Sequence, residues 1–169
     1  MPLRHTDKGW FWGSKGPFPT KDKALAVARA AHAHGFKEAN QMDLDINAVA
    51  EFVATIRNTS TITHFMHLQV EGEGSFARHD ALADYYDGIV PLIDSVAEQI
   101  QGAYDVIIKP YPPMLPGDNG TEPFPYMQSI REYVRNHRHG LPQDSEIQNE
   151  VDEIAKLINK TCYKLGRLR

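Results

Sequence analysis

The sequence predicts an all-α fold, a bundle of helices preceded by a small N-terminal β-turn-α appendage. Three observations lead there. Four segments between residues 44 and 166 repeat apolar residues at intervals of three and four, the period of a half-buried helix. A Pro- and Gly-rich stretch separates the second of these segments from the third, and an aromatic run, Gly9-Trp-Phe-Trp12, stands apart at the N-terminal end. A hydrophobic content of 41% over 169 residues is enough for one compact core plus a small attachment, so the chain divides into an appendage at 1–40 and a helical body at 41–169.

The appendage begins with the aromatic run and a Gly13-Ser-Lys-Gly-Pro-Phe-Pro19 turn. Thr20 then serves as N-cap of an alanine-rich helix that Gly35 stops. A unit of this size is too small to stand unaided, so Trp10, Phe11, Trp12, Phe18 and Phe36 are expected to pack on Leu25, Ala28 and the body. The Gly-Ser-Lys-Gly turn lacks the spacing of a phosphate-binding Walker loop and reads as a structural turn.

The first body helix is expected over 44–70, with Val49, Phe52, Val53, Ile56, Thr63 and Met66 as its stripe. The second, over 76–102, has Leu82, Tyr85, Tyr86, Ile89, Ile93, Val96 and Ile100 on one face, and Pro91 inside it should bend it. Residues 104–125 read as an ordered crossover or a mobile loop rather than an element, and a long crossover lets the next helix run parallel to the second. That third helix is expected over 125–138 and the last over 143–166, capped by Asp144 or Ser145 and carrying Cys162 as a core thiol.

Away from the apolar stripes, the end of the first helix and the second helix carry the residues that suggest chemistry. His67 and His79 are twelve apart, and Asp94 and Glu98 follow, one helical turn from each other. Imidazole with carboxylate is a borderline-to-hard ligand set that suits Fe, Zn or Mn. His79 and Asp94 lie within about 60° of one face but about 22 Å apart along the axis, so one chain cannot close a site from all four. Two copies packed antiparallel about a two-fold axis can, with the helices crossing near Asp87 and Gly88. The face carrying these residues is therefore either solvated or an interface. His64, one turn before His67, could join it in holding an ion, or could cap or pack locally; His137 and His139 read as a surface cluster.

The segment His67-Leu-Gln-Val-Glu-Gly-Glu-Gly-Ser-Phe-Ala-Arg-His79, with Asp94-Ser-Val-Ala-Glu98, resembles the ferroxidase signature of Dps-type miniferritins. The resemblance covers residues 46–104 best, and 143–166 in general character. It implies a ferritin-like four-helix bundle and an inter-subunit iron site, with His67 and His79 from one subunit and Asp94 and Glu98 from its partner. It also implies oxidation of Fe(II) by peroxide or oxygen, and a two-fold dimer that assembles into a dodecameric shell. The family usually has an Asp four residues after the second His, where this chain has Ala83; of the neighbouring Asp80, Asp84 and Asp87, only Asp87 shares the ligand face.

A structural alternative keeps the bundle without efficient iron chemistry and uses residues 1–40 to dock onto a larger assembly such as a virion. Those residues are also weakly similar to short modules of tailed-phage proteins. A third reading, DNA binding through residues 1–40 alone, rests on charge. The chain is −4 overall, but this segment holds seven Lys/Arg against Asp7, Asp22 and Glu38, which leaves −8 on the rest. Nucleic acid would meet only this piece or the tail at 164–169, and no recognised nucleic-acid motif accompanies them. No apolar run approaches the roughly 20 residues needed to cross a bilayer. The single cysteine fits a cytoplasmic setting.

Overall fold

A computed structural model describes residues 3–12, 15–33, 44–113 and 122–168. The expectations for Gly13, Ser14, Gly35, Phe36 and residues 114–121 lie outside them. The chain forms two compact units, Met1–Asp43 and Leu44–Arg169.

The first unit is a three-stranded antiparallel sheet followed by a helix, so the β part of the expected β-turn-α appendage consists of three strands. β1 (Leu3–Thr6), β2 (Gly9–Trp12) and β3 (Lys15–Phe18) lie in that order, and α1 (Lys21–Ala33) contacts β2 and β3. Pairing of Leu3 with Trp12 and of His5 with Trp10 puts these four side chains on one face, by strand alternation. Trp12 is buried there, as are Ala24 and Ala28 of α1. Phe11 pairs with Arg4 on the other face, and the Arg4 guanidinium lies 5.5 Å from its ring centroid. The aromatic run thus divides between two faces instead of sharing one. Gly9 (φ +126°) and Gly16 (φ +137°) permit the turns, because a Cβ would come within 2.7 Å of the Phe18 carbonyl at the first and 2.8 Å of the Trp10 carbonyl at the second. Thr20 caps α1 as expected, its hydroxyl accepting from the Lys23 amide at 3.3 Å.

The second unit contains α2 (Ile46–Gln69), α3 (Ser75–Tyr104), α4 (Pro123–His137) and α5 (Ser145–Arg167), with a 3-10 turn at Arg138–Gly140. Asp45 starts α2 by accepting the amides of Asn47 and Ala48 at 3.0 and 3.1 Å, satisfying two free N–H groups of its first turn. The turn to α3 has Gly72 and Gly74 at positive φ, and Arg78 closes it by donating to the carbonyls of Glu71 and Glu73. Pro123 stands in the first turn of α4, where a missing N–H costs nothing, so that helix begins before the expected residue 125. α3 continues through Pro91.

Side-chain pairs set the helix directions. His67 meets His79 and Thr59 meets Tyr85, so α3 runs antiparallel to α2. Lys164 reaches Asp84, Leu157 meets Gly88 and Tyr104 reaches Asp144, so α5 runs antiparallel to α3. Phe124 meets Gly166 and Arg138 bonds Gln148, so α4 is antiparallel to α5 and parallel to α3. α4 also contacts α2. Between the helices lies a continuous core that includes Phe52, Ile56, Leu82, Ile93, Met127, Ile154 and Cys162.

Candidate metal site

His67 ends α2 and His79 opens α3, and the short glycine turn sets them side by side. Their rings stack with centroids 3.5 Å apart. Nδ1 of His67 lies 3.0 Å from the carbonyl oxygen of His79, and Nδ1 of His79 lies 3.2 Å from that of His67. A carbonyl can only accept, so each Nδ1 carries a proton, and Nε2 is the nitrogen through which a neutral ring would bind a metal. A metal-binding imidazole commonly donates its other N–H to a backbone carbonyl in this way, which fixes the ring's orientation. His67 is buried and His79 exposed, so the pair opens on one side.

Tyr86 lies edge-on to His67 at 5.2 Å and against His64 at 4.6 Å. It is half-buried and belongs to this cluster, not wholly to the core stripe. Helical arithmetic could have found it, since seven residues bring Tyr86 back to within about 20° of His79. His64 stays exposed, its ring 6.0 Å from that of His67.

The carboxylates are elsewhere. Asp94 and Glu98 are exposed on α3, which runs unbroken from the histidines, about 22 Å farther along its axis. Tyr111, from the segment after α3, is close enough that its phenol is pushed up by burial and, secondarily, by the charge on Asp94. Among the described residues, no group of three or more His, Cys, Asp or Glu side chains could hold a metal within one chain. A single copy therefore brings His67 and His79 together and leaves Asp94 and Glu98 apart.

One local expectation changes. Gly88 faces α5 of its own chain: a Cβ there would meet Leu157 Cδ2 at 3.2 Å, so the glycine serves the α3–α5 contact. Asp80 and Asp84 both lie beside Lys164, the first at 3.5 Å. Ala83, between them in sequence, offers no donor atom.

Residues 67–165 match the sequence profile of a family of unknown function, DUF5856. The chain belongs to the DUF5856 family. No curated protein and no solved structure matches it. The DUF5856 segment starts at His67 itself and ends within α5, so it contains His67, His79, Asp94 and Glu98 and leaves out the β1–β3 unit. No helix among the described residues is long and apolar enough to cross a membrane.

Proposed function

We propose that this DUF5856 protein is a Dps-like, ferritin-like four-helix bundle that takes Fe(II) as its substrate at an inter-subunit site and oxidises it for storage. The observation that carries the reading is the reciprocal bonding of His67 and His79, which commits both Nδ1 atoms to backbone carbonyls and leaves the two Nε2 atoms free of that bonding. The helix directions support it: two antiparallel hairpins, α2–α3 and α4–α5, joined by a long crossover that makes α3 and α4 parallel, is the connectivity of ferritin-like bundles. In a two-fold dimer, the Asp94–Glu98 end of α3 from one copy lies beside the His67–His79 end of the other. The imidazoles hold the ion without adding charge, and the carboxylates favour Fe(III) over Fe(II), so each ion gives up one electron more readily to peroxide or oxygen. Zn and Mn suit the same ligand set and would compete.

Ala83 favours a second reading, a ferritin-like structural or virion-associated adaptor whose site has lost a ligand. One experiment separates the two. Fe(II) is titrated anaerobically into metal-free protein of known solution mass, and oxidation is then started with peroxide or oxygen and followed by absorbance. A dimer or larger assembly that oxidises iron faster than buffer supports the ferroxidase. A strict monomer, or a rate equal to buffer, leaves the adaptor.

A further inference from the structure

In the helical unit, the groove between α4 and α5 gathers cations in a body that is otherwise acidic. Arg131, Arg135 and Arg138 follow at intervals of four and three, so one face of α4 and the turn after it presents three guanidiniums beside Ile158 and Asn159 of α5. Two of them donate hydrogen bonds to acidic partners. Arg135 donates to Glu132 at 2.8 Å, and Arg138 donates to Asp152 at 2.8 Å and to Gln148 at 2.9 Å.

Arg131 is different. Its ion pair with Glu132 is loose, 4.0 Å from Nε and beyond hydrogen-bond reach, and that nitrogen is buried without an acceptor. Its side chain is still 30% exposed, so part of it faces the groove. The positive potential also reaches inward: burial raises the Cys162 thiol, and the charges of Arg131 and Arg135 pull against that rise. A buried guanidinium N–H without an acceptor is costly, and an anion's oxygen is a partner that relieves it. The cavity measures about 40 Å³, against roughly 10–15 Å³ for one water on a comparable measure, so it has room for a few oxygen atoms and little more.

We propose that this groove binds a small tetrahedral oxyanion of the phosphate class, held by Arg131 and Arg135 with an amide N–H from Asn159. Arginine suits the task because its planar fork pairs two oxygens at once, which a lysine cannot do. The site is independent of the iron reading, since it shares no residue with the four ligand candidates and needs no metal.

The test is calorimetric titration of inorganic phosphate into metal-free protein at constant ionic strength, with wild type, Arg131→Gln, Arg131→Lys and Arg135→Gln in parallel. Circular dichroism establishes that each variant is folded. The expected result is saturable binding that Arg131→Gln weakens by about tenfold or more, the loss of one charge-assisted contact. Arg131→Lys should recover only part of it. Should Arg131→Gln fail to fold, Arg135→Gln carries the same comparison. No saturable binding up to tens of millimolar phosphate, or binding that none of the substitutions weakens, overturns the proposal.

Discussion

The Tyr85 hydroxyl donates to Thr59 Oγ1 at 2.8 Å across the α2–α3 contact, and the threonine hydroxyl passes its own proton to the Ile56 carbonyl at 2.7 Å. Tyr85 is fully buried, and burial pushes its phenol well above the ordinary tyrosine value, with the bond to Thr59 pulling the other way. The bond therefore fixes how the two helices that carry His67 and His79 meet. Tyr85→Phe should cost about 1 kcal/mol in urea unfolding, the net worth of one hydrogen bond. Thr59→Val strands the buried hydroxyl and should cost more, about 1–3 kcal/mol. The double variant should be more stable than the sum of the two losses implies, because it leaves no orphan; strict additivity would show that the bond is not what couples the helices.

If the ferroxidase reading holds, Asp94→Ala with Glu98→Ala should abolish most Fe(II) oxidation while the fold survives. Both side chains are exposed, and surface changes of this kind stay within about 0.5 kcal/mol. Stopped-flow absorbance and a urea melt on the same samples separate the two effects, and a double variant as active as wild type would contradict the reading.

Ala83→Asp supplies the carboxylate that the resemblance lacks. It should tighten anaerobic Fe(II) binding, measured by calorimetry, and slightly destabilise the metal-free protein, because Asp80, Asp84 and Asp87 already crowd that stretch of α3. Unchanged or weaker iron binding would mean that His79 and residue 83 do not share an ion.

At the opposite end of α3, the Tyr104 hydroxyl donates to the Asp144 carboxylate. That bond, with a lesser contribution from burial, raises the phenol to about 12. It also explains why Asp144, at the N-cap of α5, makes no side-chain cap bond: its carboxylate is turned to Tyr104. The folded state holds this proton more tightly than the unfolded chain, whose tyrosine titrates near 10. The resulting stability is complete below about pH 10 and disappears as pH rises through about 12. The melting-temperature gap between wild type and Tyr104→Phe should accordingly be flat from pH 7 to about 9.5 and shrink above it. A gap that widens with alkali would reverse the sign argued here.

Cys162 is buried in the core of α5, and its thiol is raised by that burial. A thiol-specific aromatic disulfide should label it slowly in the native protein and rapidly in urea, since the thiolate is the reactive form. Rapid native labelling would show that this part of α5 opens readily.

Much of the helical body is determined by the sequence alone, because apolar residues three and four apart belong to one helix surface wherever that helix goes. The stripes of α2 and α5, the Thr20 cap and the pairing of a Gly-rich turn with two flanking helices are of this kind, and the fifteen-residue separation of His79 from Asp94 follows from helix geometry alone. Tertiary structure decided what depends on how one element is rotated against another. It put Gly88 against Leu157, gave Asp80 and Asp84 to Lys164, and turned Tyr86 toward His64 and His67. It also divided the Trp-Phe-Trp run between two faces of a sheet, whose partners are set by strand pairing rather than by the run itself. The reciprocal bonds between His67 and His79 belong to the same class: their spacing is visible in the chain, but the direction of each Nε2 is fixed only when the two helices close and each imidazole finds the other's carbonyl.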